Sequence, residues 1–220
     1  RAMPKPEAAE LRQAGAARWA ECCLGLIIAL YLLLGVSYAL KTPQWEAPDE
    51  PAHFNYIAHL AERWNLPVLK VGDYPHQYLE EIKAARFPED MSIEPLRYEF
   101  HQPPLYYLLA LPLYWLGGLW GLGGQIFALR LLSVALGAGV LGIIYCTVRE
   151  IFPQEDILAL GAVGFAATVP MHLAVSAAIN NDTLAELIMA LILLMGVRLA
   201  MGRQVNGAAL GVLLGLGLRG

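Results

Sequence analysis

Charge is what this chain has least of: only 15% of its 220 residues are Asp, Glu, Lys or Arg, against 57% hydrophobic residues. A soluble domain of this length spreads charge over every amphipathic face. Here it is gathered into blocks, the composition of an integral membrane protein. Cysteine is scarce as well. Cys22, Cys23 and Cys146 all lie in apolar stretches, with no C-x-x-C pair. They imply neither a disulfide framework nor a zinc ribbon, and read as small packing residues. Basic charge is lacking where nucleic acid would need it. The segment from Lys41 to His101 holds 11 Asp or Glu against 6 Lys or Arg, with no basic stripe. No internal repeat is visible, and strand content is expected to be close to nil.

What is present is a series of uncharged runs: Cys22 to Leu40, Gln102 to Leu129, Leu131 to Val148, Ile157 to Asn181, and Leu187 to Val197 extended past Arg198 to Met201. Runs of such length read as membrane helices. The last, Gln204 to Leu218, has 15 residues and is short for a crossing, so the chain reads as part of something longer. Ser37-Tyr38-Ala39 loosely suits signal cleavage, but a 19-residue run exceeds the usual apolar region of a signal peptide, so the first helix is read as retained.

Arg1, Lys5, Arg12 and Arg18 precede the first helix, which by the positive-inside rule places the N-terminus in the cytoplasm and the acidic segment outside. If Gln102 to Leu129 made a full crossing, Arg198 and Arg203 would end outside. If it holds a short interfacial or re-entrant helix, Arg149, Arg198 and Arg203 all lie inside and Asn180-Asn181-Asp182 lies outside. Pro103, Pro104, Pro112 and the glycines from Gly117 to Gly124 support the second count.

The expected organisation is therefore a cytoplasmic segment 1–21, a transmembrane helix 22–40, and an external loop 41–124 with juxtamembrane helices near 51–64 and 103–120. Further transmembrane helices follow near 126–148, 157–179, 183–202 and 205–220. The fold class is an all-α integral membrane protein.

This topology gathers three polar clusters on the outer face: Asp49, Glu50 and His53; Glu99 and His101; and Asn180, Asn181 and Asp182, with Arg130 facing the same side. Asp49 or Glu50 shares a helical face with His53, which suits a base with its partner or a cation site. Plain capping competes: Asp-Glu before Pro51 is an ordinary helix start, as is Asn181-Asp182. Arg130 could simply snorkel.

The residues DEPAHFNY after the first helix, HQPPLYY, ALRLLSVALGAGVLGIIY and the later acidic turn resemble, in that order, the N-terminal module of GT-C fold glycosyltransferases. The similarity is to family-39-like enzymes, protein O-mannosyltransferases and aminoarabinose transferases, over roughly Ala17 to Met201. Gln102 interrupts the relatives' HPP pattern. The resemblance implies a GT-C-like N-terminal transmembrane module that transfers a sugar from a polyprenyl-phosphate donor to an acceptor hydroxyl at the outer face of the cell membrane, with inversion. It implies Asp49, Glu50 and Asp182 as catalytic residues. Arg130, His53, His101, Gln102, Tyr106 and Asn181 would bind substrate, Arg130 supplying charge to the leaving lipid phosphate. A divalent ion (Mg, Mn or Zn) on Asp49, His101 and Asp182 is the second source of that charge. Expected partners are the lipid-linked donor, membrane lipids and a partner subunit or further C-terminal region, but no nucleic acid. A non-catalytic membrane subunit or lipid-phosphate-binding module on the same scaffold is the competing reading.

Overall fold

The computed structural model describes residues 5–217, with side chains from Arg18 onward. Residues 1–4 of the expected cytoplasmic segment and 218–220 of the expected last helix lie outside the described residues. Helix α1 spans Lys5–Lys41, starting well before the apolar run, because the stretch leading into Cys22 is rich in Ala, Glu, Gln and Arg, which favour helix. Three short helices follow outside it: α2 (Glu50–Arg63), α3 (His76–Ala84) and α4 (Leu105–Gly118). Then come α5 (Gly121–Ile151), α6 (Asp156–Thr168), α7 (Pro170–Ser176), α8 (Asp182–Ala200) and α9 (Gly207–Gly217). No strand occurs among the described residues.

By length and composition, Arg18–Lys41, Gly121–Ile151 and Asp182–Ala200 can each cross a membrane, and α6 with α7 makes a fourth if the bent pair counts as one span. The expected single helix 157–179 is thus corrected to two, inclined by 66°. Pro170 has no N–H to continue the ladder and holds Val169 in an extended conformation (φ −68°, ψ 114°), so the first helix must stop there.

Helix α4 is too short to be a span by the same measure. It folds back antiparallel on the first turns of α5, with Gly117 against Gly124 at one end and Tyr106 Oη 3.1 Å from Ser133 Oγ at the other. A Cβ on Gly117 would fall 2.5 Å from the Gly124 carbonyl oxygen, so the close approach needs glycine there. Two cores result. One packs α2, α4 and the outer half of α5 with Ile179, Leu184 and Ile188. The other packs Tyr31 and Ala39 of α1 with Val134, Leu141, Val163 and Leu173. Leu79 and Ile82 of α3 form a small third cluster with Leu96 of the segment before α4.

Candidate functional site

Where the two large cores meet, Glu50 and Arg130 form a buried ion pair, 0% and 2% exposed. Arg130 Nε and Nη2 donate to the two carboxylate oxygens at 2.7 and 2.6 Å. Its remaining N–H groups donate to the carbonyls of Ala39, Thr42 and Pro43 at 2.7 to 3.0 Å. All five guanidinium donors are therefore used. The Trp45 and Ile179 amides donate to the same carboxylate at 3.1 and 3.3 Å. One node thus fastens the end of α1, the start of α2, the middle of α5 and the turn before α8. Arg130 has no donor left for a phosphate, nor Glu50 a lone pair turned to solvent. Glu50, expected among the catalytic residues, and Arg130, expected to supply charge to the lipid phosphate, are here joined as an internal clasp.

Asp49, the adjacent residue, behaves oppositely. It occupies the N-cap position of α2, yet its carboxylate makes no capping bond, and its backbone is left-handed (φ 58°, ψ 2°). That conformation is uncommon outside glycine and persists only where surrounding contacts impose it. The Asp49 side chain turns outward, where Tyr98 Oη donates to Oδ1 at 2.9 Å. Plain capping does not explain this residue.

Asp49 lines two adjoining clefts, of about 520 and 370 Å³, which share Leu79, Lys83 and Tyr98. Glu99 and His101 line the larger. His101 Nδ1 lies 2.8 Å from the Tyr98 carbonyl. A carbonyl only accepts, so Nδ1 carries a proton, and in the neutral imidazole the lone pair is then on Nε2. Lys83 is half-exposed, with Nζ 3.9 Å from Glu80, and is free to turn into either cleft.

His53 stands behind this face. It is 5% exposed, with Nδ1 2.8 Å from Tyr107 Oη, and burial pushes its pKa down to about 4 against a smaller opposing pull from Asp49. It is a neutral packing group at physiological pH and does not reach the cleft lining. Burial also raises the pKa of Tyr98 and of Tyr107, with Asp49 adding to the first and Glu99 to the second, so both hydroxyls stay protonated. Tyr56 stacks on Tyr107 at 3.6 Å and nearly parallel, fixing the wall between α2 and α4.

The other expected residues form a side arm. Gln102 Nε2 donates to Glu99 at 2.8 Å, and Asn181 Nδ2 donates to Gln102 Oε1 at 3.1 Å, so the Gln that departs from the relatives' pattern joins the α8 turn to the loop. Tyr106 is fully packed against Ser133. Asp182 is exposed in the first turn of α8 and lines neither of the two clefts. Among the described residues, no three His, Cys, Asp or Glu side chains are grouped to hold a metal ion, so Asp49, His101 and Asp182 do not make the expected ligand set. His172 has Nε2 buried without a hydrogen-bond partner among the described residues, while Nδ1 lies 3.8 Å from Glu186.

The sequence pointed to Asp49 and His101 and missed Tyr98 and Lys83. Tyr98 sits inside the motif Tyr98-Glu99-Phe100-His101, so its neighbours were a signal. Lys83 is 34 positions from Asp49 on another helix and had none.

A family model described as dolichyl-phosphate-mannose-protein mannosyltransferase matches residues 102–219, more than half of the chain. The matched region begins after Asp49, Lys83 and Tyr98 and includes Arg130 and Asp182. No curated protein and no solved structure matches this chain.

Proposed function

The chain belongs to the dolichyl-phosphate-mannose-protein mannosyltransferase family, membrane glycosyltransferases of the GT-C type, and we propose that its cleft at Asp49 is where the sugar is transferred. The donor in this reading is a sugar on a polyprenyl phosphate, the acceptor carries a hydroxyl, and the reaction runs at the outer face of the cell membrane. The observation that carries it is the unshared carboxylate of Asp49, held in a left-handed backbone and turned away from the cap it could have made.

Asp49 Oδ2 takes the proton of the acceptor O–H while that oxygen forms a bond to the anomeric carbon. The bond from that carbon to the phosphate oxygen breaks, and the lipid phosphate leaves with the electron pair. A single displacement of this kind inverts the anomeric centre. The departing charge needs a cation. With Arg130 saturated, Lys83 on α3, which lines both clefts, is the first candidate, with Arg86 beside it in the smaller one, and Glu99 and, in the neutral tautomer, His101 Nε2 would accept hydrogen bonds from sugar hydroxyls.

The test is made in lipid nanodiscs with dolichyl-phosphate-mannose and a Ser/Thr peptide. Asp49→Asn should bind the donor while transfer falls about 10²- to 10⁴-fold, and Lys83→Ala should weaken donor binding. Retained transfer in Asp49→Asn would end the assignment of the base, and unchanged donor binding in Lys83→Ala would move the phosphate elsewhere.

A further inference from the structure

The loop before α4 fixes two cleft groups through one residue. Tyr98 binds Asp49 with its side chain and His101 with its main chain: Oη donates to Asp49 Oδ1 at 2.9 Å, and the carbonyl accepts from His101 Nδ1 at 2.8 Å. Tyr98 is itself held. The Tyr74 ring packs edge-on against it at 5.2 Å, and the Arg97 amide donates to the Asp73 carbonyl at 3.0 Å. Just upstream, Asn55 of α2 donates both amide hydrogens to the carbonyls of Ile93 and Leu96, at 2.7 and 2.8 Å, tying this loop to the helix that Asp49 begins.

We propose that Tyr98 is the positioning residue of the transfer reaction: by occupying Asp49 Oδ1 it leaves Oδ2 as the oxygen that receives the acceptor's proton, and by fixing His101 Nδ1–H it turns Nε2 toward the sugar. This rests on Asp49 being the base. Among the described residues the Asp49 carboxylate has no other hydrogen-bond partner, and it ends a turn-rich segment held through Glu50, Arg130 and the packing of Trp45 on Phe54. Without Tyr98 the carboxylate swings freely about its side-chain torsions, and the fraction of time spent in line with the acceptor falls. Because Tyr98 Oη stays protonated over the working pH range, the donated bond is present throughout it. Its two functions are also separable: Tyr98→Phe deletes the hydroxyl but keeps the carbonyl.

The experiment compares Tyr98→Phe, Asp49→Asn and wild type, full chain in nanodiscs, with dolichyl-phosphate-mannose and a Ser/Thr peptide. Tyr98→Phe should lower kcat about 10- to 100-fold, the scale of losing alignment at a reacting pair, with donor KM and unfolding temperature unchanged. A wild-type kcat, or a loss carried in KM, overturns the proposal. An active Asp49→Asn instead removes the premise, which separates the two failures. A second readout needs no turnover: the infrared difference between wild type and Tyr98→Phe should contain a carboxylate band that disappears when both proteins carry Asp49→Asn. Absence of that band also overturns the proposal.

Discussion

Asp49 and Glu50 are neighbours in sequence, both acidic and both at the start of α2, yet one is fully exposed to chemistry and the other fully withdrawn from it. Glu50 meets a guanidinium and two amides in a dry node, so its charge is spent inside the fold. Asp49 meets one tyrosine hydroxyl and an open cleft. The difference teaches that a buried, saturated pair defines the geometry, while the group with an unfilled valence of hydrogen bonds is the one able to react.

The largest test of this contrast is to break the clasp. Arg130→Ala should destabilise the protein by about 3–5 kcal/mol, the usual consequence of leaving one buried charge unpaired, read as a fall in unfolding temperature in detergent. Asp49→Asn should change stability by less than about 0.5 kcal/mol, as exposed substitutions do, while transfer falls about 10²- to 10⁴-fold. If both variants lost stability equally, the contrast between clasp and cleft would be void.

Next comes pH. His53 is neutral in the fold, with a pKa of about 4 against an ordinary value of 6.5. The unfolded chain takes up the proton first, so stability is whole above pH 6.5 and declines as pH falls toward 4. A shift of this size corresponds to about 3 kcal/mol, and His53→Gln should flatten the unfolding temperature between pH 7 and 4. Persistence of the slope in that variant would assign it to other groups. Smaller still, Gly117→Ala should cost about 1–3 kcal/mol by forcing α4 off α5 against backbone atoms that cannot rotate away. A neutral result would mean that the helix pair is looser than its contacts indicate.

The membrane character and the short helices between the first two long ones were legible because each is local. Apolar runs report burial in lipid, Pro51 reports a helix start, and a Pro-Pro pair reports the entry to α4. The break at Val169–Pro170 was legible in principle, since Pro170 stands inside the expected helix 157–179, but an uncharged run masks it. The pairing of Glu50 with Arg130 was not legible, for a different reason. Residue type marks a charge; it does not reveal whether a partner 80 positions away will consume that charge.

What the sequence by itself determined is the class of molecule: helices in a membrane, an acidic loop on one side of the first of them, and a motif order shared with GT-C glycosyltransferases. Those properties follow from composition and spacing along the chain. What only the tertiary structure decided is which polar groups remain unsatisfied once folded. Five donors of Arg130 find acceptors from four other residues, whereas Asp49 finds one donor. That count depends on distances among residues remote in sequence, because hydrogen bonds and ion pairs act over a few ångströms of space and take no account of position along the chain.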